Sequence, residues 1–312
     1  VEVIKLSEPY QVSQIPQGDC VLALGFFDGV HLGHQKVIKT AKKKATDLGM
    51  KLAVMTFDRQ PKLMYQTNPK PPRYLTLLKR KLALFEQLGA DIAYVVTFNE
   101  ALVPMKPQEF VDKYMVGLHA KVIVAGQDYT YGKKELANMD TLAGYARNRF
   151  EIIAVKHLIQ NGSEYKIGST TIRKAIDAGQ IDEANQLLGY QYQTQGVVVH
   201  GFARGRTIGF PTINLEGNKE QRLPAPGVYA TKVEIDDQTY LGMASVGYNE
   251  TFGDDFDLTV EIYLLDFKQD VYGKVATVSW YHWLRPMVKF DSVTELVTQL
   301  KADEQATREY FA

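Results

Sequence analysis

The spacing of apolar residues changes character after Gly189, and that change divides the chain. Before it, short β-rich runs alternate with stretches of helical spacing. CVLALG (Cys20–Gly25), KLAVMTF (Lys51–Phe57), DIAYVVTF (Asp91–Phe98), AKVIVA (Ala120–Ala125) and EIIAV (Glu151–Val155) read as strands. Between the first two, Val37, Ile38, Ala41, Ala45 and Leu48 recur on one helical face. Leu75–Leu88 reads as a helix, and Pro107 begins another that runs towards Gly117. Repeated strand–helix units predict a Rossmann-like parallel sheet covered on both faces. Ligands on such sheets bind at the carboxyl ends of the strands. From Gln193 onward, β-branched and aromatic residues alternate with polar ones in QGVVVH, GVYATKVEI, TYLGMASVG, DLTVEIYLL and KVATVSWYHW. Turn signals separate these runs, which predicts a closed antiparallel β-barrel. Ser292–Phe311 returns to helical spacing, as a terminal helix expected to pack on the barrel. The expected fold class is α/β plus β, with a boundary near Leu188–Gln193 and domains 1–188 and 189–312.

Composition narrows the function classes. Lys+Arg and Asp+Glu are equal at 36 each, which argues against a general nucleic-acid binder. Cys20 is the only cysteine, so neither an internal disulfide nor a thiolate metal cluster can form. The first nineteen residues hold no apolar run of signal-peptide type, and no stretch approaches the length of a membrane span. A cytoplasmic protein without nucleic-acid or membrane partners is expected, as a monomer or weak homo-oligomer.

The string FFDGVHLGH (Phe26–His34) lies where a strand ends and a helix begins, with glycines at 25 and 29. The first amides of a helix lack internal partners, and its dipole favours negative charge there. His31 and His34 are three apart, so their imidazoles can join those amides around one phosphate. Gly33 removes a side chain that would crowd a nucleotide. Two surface or core histidines are the plain alternative. Metal ligation needs a third ligand, and only Asp28 is near in sequence. AGQDYTYGKK (Ala125–Lys134) nearly matches a P-loop but has one spacer too many and no Ser/Thr after the lysine.

In this setting FFDGVHLGH resembles the H-x-G-H nucleotidylyltransferases, in the G-x-F-D-G-V-H-x-G-H form of the prokaryotic FAD synthetases. IGSTTIR (Ile167–Arg173) is similar to that family's I-S-S-T-x-I-R, with Gly168 for the first serine. AGQDYTYG resembles G-x-[ND]-F-x-F-G, and TFDRQP (Thr56–Pro61) resembles T-F-x-P-H-P with Arg59 and Gln60 as departures. The resemblance implies that His31 and His34 stabilise the transition state as an acceptor phosphate attacks the α-phosphorus of ATP. It implies that Gly25, Phe27, Asp28 and Gly29 contact nucleotide, that Ser169, Thr170 and Arg173 hold the triphosphate, and that Asp128 touches nucleotide or flavin.

In the second half, GFARGRTIGFPTINL (Gly201–Leu215) clusters Gly, Arg and Pro densely before a Pro-Thr-x-Asn. Pro211 lacks a backbone donor, so a strand should begin after it. Thr212 and Asn214 then share one face, where a hydroxyl and an amide carbonyl can hold Mg²⁺. Glu261 is a lone carboxylate in an apolar strand, read as buried. Its structural alternative is a salt bridge to Arg285. These stretches resemble the riboflavin kinase signature G-R-x-L-G-F-P-T-A-N. The similarity continues through PAPGVYA, VEIYLLDFKQDVYGK and LRPMVKFDSVTELVTQL, with Ser245, Glu250 and Met287 as departures. It implies that Thr212 and Asn214 bind Mg²⁺ with ATP, that Gly205 and Arg206 meet its phosphates, that Glu261 is the base for the ribityl hydroxyl, and that Arg285 lies near flavin or nucleotide.

Together the two motif sets imply a bifunctional riboflavin kinase/FAD synthetase with riboflavin, FMN and ATP as substrates, Mg²⁺ as cofactor, and FMN and FAD as products. The alternatives are a nucleotidylyltransferase with another acceptor, such as phosphopantetheine or nicotinamide mononucleotide, a paralogue with one activity lost, and a flavin-binding regulatory protein.

Overall fold

The computed structural model describes residues 1–61, 73–159, 166–201, 204–248 and 258–312. Glu250, one of the departures above, lies outside them. Two compact units emerge. The first comprises residues up to Gly168 apart from 73–75, and the second comprises those three residues and Ser169–Ala312.

The first unit contains β1 (Glu2–Ser7), β2 (Cys20–Leu24), α1 (Leu32–Leu48), β3 (Lys51–Phe57), α2 (Leu78–Gln87), β4 (Ile92–Thr97), α3 (Pro107–Val111), β5 (Ala120–Gly126), α4 (Leu142–Ala146) and β6 (Glu151–Val155). The sheet order is β1-β4-β3-β2-β5-β6, and every neighbouring pair is parallel. All five residues of β2 are buried, as a strand covered on both faces requires. The chain runs outward from β2 through β3 to β4, then crosses to β5 on the other side of β2. The order therefore reverses between β2 and β5, and sheets of this kind bind ligands in the crevice beyond the carboxyl ends of such strands. Leu22, Leu24, Met55, Tyr94 and Tyr114 form the centre of the core. The Cys20 thiol donates to the Leu118 carbonyl at 3.3 Å. Burial, and then the charge of Asp19, pushes it up to about 12, so it is no nucleophile at neutral pH.

Three elements differ from the sequence expectation. β1 is an additional edge strand beside β4; only Leu6 of it is fully buried, so its apolar pattern is weak. α2 begins at Leu78 rather than Leu75. The helix from Pro107 passes into a π-helical turn at Asp112–Val116.

The second unit opens with α5 (Ser169–Asp177) and α6 (Ile181–Leu188). It continues with β7 (Tyr192–Val199), α7 (Arg204–Thr207), β8 (Thr212–Gly217), β9 (Gly227–Ile235), β10 (Gln238–Tyr248), β11 (Leu258–Leu264), β12 (Val275–Arg285) and α8 (Val293–Phe311). The strands close into an antiparallel barrel in the order β10-β11-β8-β7-β12-β9. Trp280 is fully buried; its indole donates to Thr194 Oγ1 at 3.0 Å and meets Tyr229 edge-on at 5.3 Å. α5 and α6 pack on this barrel. Arg222 pairs with Asp177, Ala225 N donates to Ile176 O at 3.1 Å, and Asn185 Nδ2 donates to Trp280 O at 2.9 Å. The compact division thus falls at 168/169, ahead of the 188/189 boundary, which marks where the barrel strands start. Residues 73–75 join this unit because Tyr74 bridges Gln221.

Leu22→Ala leaves a cavity at the centre of a strand with no solvent side. It is expected to destabilise the first unit by about 2–5 kcal/mol, read as a lowered midpoint in denaturant unfolding.

Candidate functional site

The turn between β2 and α1 is built under strain. Phe27, Gly29 and Val30 adopt φ of 54°, 84° and 35°, and for Phe27 and Val30 this left-handed region is costly. Three contacts hold it. Val30 N donates to Phe27 O at 3.1 Å, Gly29 N to Thr76 Oγ1 at 2.9 Å, and Thr76 N to Asp28 Oδ1 at 3.2 Å. Asp28 is buried, so its carboxylate serves as a brace for the turn.

His31 is the N-cap of α1. Its Nδ1 accepts from His34 N at 3.3 Å, so one of the four free amides of the helix start is taken by the cap. An Nδ1 that accepts leaves the ring proton on Nε2. The two imidazoles do not stand side by side but stack, with centroids 3.6 Å apart and planes at 21°. Phe27 meets His34 edge-on at 5.3 Å. His34 Nδ1 is sealed from solvent and has no hydrogen-bond partner. Burial, then His31, then Lys81 push His34 well below the ordinary imidazole range, so it is neutral at physiological pH. A Cβ on Gly33 would lie 3.1 Å from the His31 ring and 3.4 Å from Ile167 O, so the glycine makes room for the stacked ring.

Lys81 was not anticipated from the sequence, where it is one of several basic residues in an amphipathic helix. Only 3% of it is exposed. Its Nζ donates to Phe26 O at 2.8 Å and Thr56 Oγ1 at 3.3 Å, and lies 4.0 Å from the centroid of the Phe26 ring. Asp128, which follows β5, is exposed and receives Lys166 Nζ at 2.8 Å, with His157 at 3.8 Å. Partial burial raises its carboxyl, but Lys166 and His157 outweigh that and hold it below the usual range. Arg59 pairs with its neighbour Asp58 at 3.5 Å.

In the second unit, Ser169 and Thr170 open α5, with Arg173 one turn on and half-buried. β8 begins at Thr212, directly after Pro211 as expected. The register sets Asn214 opposite Glu261 and Thr212 opposite Tyr263, while Ser245 of β10 faces Glu261 from the other side. Directly paired residues share a face, so Asn214, Glu261 and Ser245 form one cross-strand row with Thr212 a step along. Val260, Ile262 and Leu264 fill the barrel interior. Glu261 is therefore half-buried on the outer face, which corrects the expectation of a buried carboxylate. Its alternative partner is engaged elsewhere: Arg285 binds Asp303 through Nε at 2.9 Å and Nη2 at 2.8 Å. A Cβ on Gly201 would come within 2.1 Å of the Asn214 amide, so only glycine lets that amide lie there. The backbone of Gly205 closes the turn before β8, its carbonyl accepting from Phe210 N at 2.9 Å. Arg206 is exposed and donates to Tyr272 Oη at 3.1 Å, and Tyr272 stacks on His200 at 3.6 Å.

Whether Mg²⁺ fits can be tested on the donors. Among the described residues no group of three His, Cys, Asp or Glu side chains could hold a metal. A hydroxyl, an amide oxygen and one carboxylate on neighbouring strands suit a hard cation that keeps water and phosphate as its other ligands.

The Lys81 charge has a consequence for stability. Burial holds its pKa down to about 8 from 10.5, despite the opposing charges of Asp28 and Asp58. Between those values the unfolded chain binds the proton that the folded chain has lost. Stability from this group therefore rises with pH across the window, and the penalty is complete below it. Lys81→Met leaves Phe26 O bonded to the Thr56 hydroxyl at 2.8 Å. The variant is expected to be more stable than the parent at neutral pH by up to about 3 kcal/mol. In denaturant unfolding, that gain should shrink as pH rises from 8 to 10.5.

Comparison with known proteins agrees with both halves. The FAD synthetase family matches residues 13–171, and the riboflavin kinase family matches residues 188–311. A bifunctional riboflavin kinase/FMN adenylyltransferase of Listeria monocytogenes is 48% identical, over 100% of this chain and 99% of that protein. One from Bacillus subtilis is 40% identical, over 100% and 99%. A crystal structure described as a macrolide-efflux protein from Streptococcus pneumoniae superposes with a TM-score of 0.89 at 38% identity, covering 98% of this chain and 99% of that one. Among the described residues, no helix is long and apolar enough to cross a membrane. With both family matches in order along one chain and full-length relatives at these identities, the chain belongs to the bifunctional riboflavin kinase/FMN adenylyltransferase family.

Proposed function

We propose that the two units run consecutive ATP-dependent steps, and that the stacked His31–His34 pair at the β2/β5 crevice serves the second. In the first step the ribityl hydroxyl of riboflavin attacks the γ-phosphorus of ATP, giving FMN and ADP. Glu261 takes the hydroxyl proton. Its support is its place in the Asn214–Glu261–Ser245 row, where no described residue pairs with its carboxylate. Thr212 and Asn214 would hold Mg²⁺ there, and the ion would neutralise phosphate charge. Gly205 and Arg206, in the turn leading into β8, are assigned to the same nucleotide.

In the second step a phosphate oxygen of FMN forms a bond to the α-phosphorus of ATP. The bond to the bridging oxygen breaks, and its electron pair leaves on pyrophosphate. Such transfer is mostly positioning and charge stabilisation. His31 offers Nε2–H to a phosphate oxygen, and His34 stacks behind it with a ring nitrogen that has found no protein partner. Gly25, Phe27, Asp28 and Gly29 shape the turn. Ser169, Thr170 and Arg173 are assigned to the triphosphate on motif similarity. Asp128 is assigned to nucleotide or flavin, and Arg285 to the kinase unit, where its contact with Asp303 supports a structural share in its role. A cytoplasmic protein, monomeric or weakly self-associating, is retained from the sequence reading.

The test is incubation with riboflavin, ATP and Mg²⁺ followed by separation of the flavins. FMN and then FAD should appear; FMN alone would mean that the first unit is impaired, and neither product would favour a binding protein. His31→Ala should lower FAD formation from FMN by about 100-fold or more while sparing FMN formation, and the lost cap should cost about 1 kcal/mol in thermal unfolding. Glu261→Gln should show the converse, with FMN formation reduced about 100-fold or more. Normal kinase turnover in that variant would remove Glu261 from the chemistry.

A further inference from the structure

Adenylyl transfer sets the first unit an electrostatic problem. Adenylyl transfer gathers negative charge on ATP, on the FMN phosphate and on departing pyrophosphate. Yet burial, with His31 and Lys81 beside it, holds His34 neutral, so that imidazole brings no charge. Lys81 is the buried cation beside the imidazoles, and no step described so far uses it.

Lys81 is an unusual residue to bury. Its ammonium is held by a carbonyl, a hydroxyl and a ring face, and no described carboxylate forms an ion pair with it. Buried charges of this kind are retained only against a counter-ion or for a purpose. The carbonyl it grips belongs to Phe26, the first residue of the strained turn that carries Phe27, Asp28, Gly29 and His31. The hydroxyl belongs to Thr56 at the carboxyl end of β3, the neighbouring strand. Phe26 O already accepts from Thr56 Oγ1, so the lysine is not needed to satisfy it. The fold therefore tolerates a destabilising charge where a neutral side chain would pack.

We propose that Lys81 is a positioning residue for adenylyl transfer: it supplies the fixed positive charge behind the β2–α1 turn, acting through the Phe26 carbonyl and the stacked imidazoles, with substrate phosphate as its counter-ion. This rests on the assignment of His31 and His34 to that reaction. Low dielectric around the ammonium strengthens its field at the helix start. The charged and titratable groups facing it are Asp28 from the turn, Asp58 after β3 and His34 from α1.

The test uses the full chain, with riboflavin phosphorylation by the second unit measured in the same preparation. Lys81→Met should lower kcat/KM for FAD formation by about tenfold or more and leave FMN formation unchanged. The parent should lose adenylyl transfer as pH rises past about 8, where Lys81 gives up its proton, and the variant should lack that limb. Lys81→Ala opens a space for a small amine. Ethylammonium chloride should restore part of its FAD formation, and sodium chloride at equal ionic strength should not. This recovery is a response that a merely structural lysine would not show. A folded Lys81→Met chain with parental FAD formation would overturn the assignment. If that variant fails to fold, absence of amine recovery in Lys81→Ala would overturn it. A parent chain that forms no FAD would instead sink the underlying reading of the histidines.

Discussion

The hydrogen bond from His34 N to His31 Nδ1 is the contact on which the first site depends. It starts α1, fixes which ring nitrogen carries the proton, and brings the two imidazoles into a stack. One backbone amide is spent on a side chain rather than left for a ligand. In exchange, the His31 ring is fixed at a rigid helix start. The strained φ angles at Phe27 and Val30 persist because Thr76 and Asp28 brace the turn from the side. Strain, cap and brace together describe a turn held in place by the protein alone.

The second unit solves a similar problem with strands. A barrel has two faces, and here they divide the work. Val260, Ile262 and Leu264 fill the interior, while Glu261 stands outside between Asn214 and Ser245. Strand register alone decides this, because a slip of one residue would exchange the two sets. Gly201 completes the arrangement by letting the Asn214 amide approach the backbone. Each unit thus fixes its candidate residues with its own local framework, a helix start in one and strand register in the other.

Much of this was legible in the sequence. Parallel sheet, barrel and terminal helix followed from apolar spacing, and Thr212 and Asn214 were placed on one face by their separation of two. What stayed hidden depended on contacts between distant segments. The weak pattern of β1 concealed an edge strand. Glu261 looked buried because its neighbours are apolar, but they point inward and it points out. The sequence offers Glu261 as a partner for Arg285, but α8 brings Asp303 to it instead. Lys81 resembled any other basic residue of a helix, and only the fold of α2 against β3 shows that its ammonium is enclosed.

The most direct measurement is a crystal structure of the chain with a non-hydrolysable ATP analogue. The account predicts a phosphate oxygen within hydrogen-bonding distance of His31 Nε2, with the ring still stacked on His34. Bound nucleotide with both imidazoles turned away from it would contradict the account.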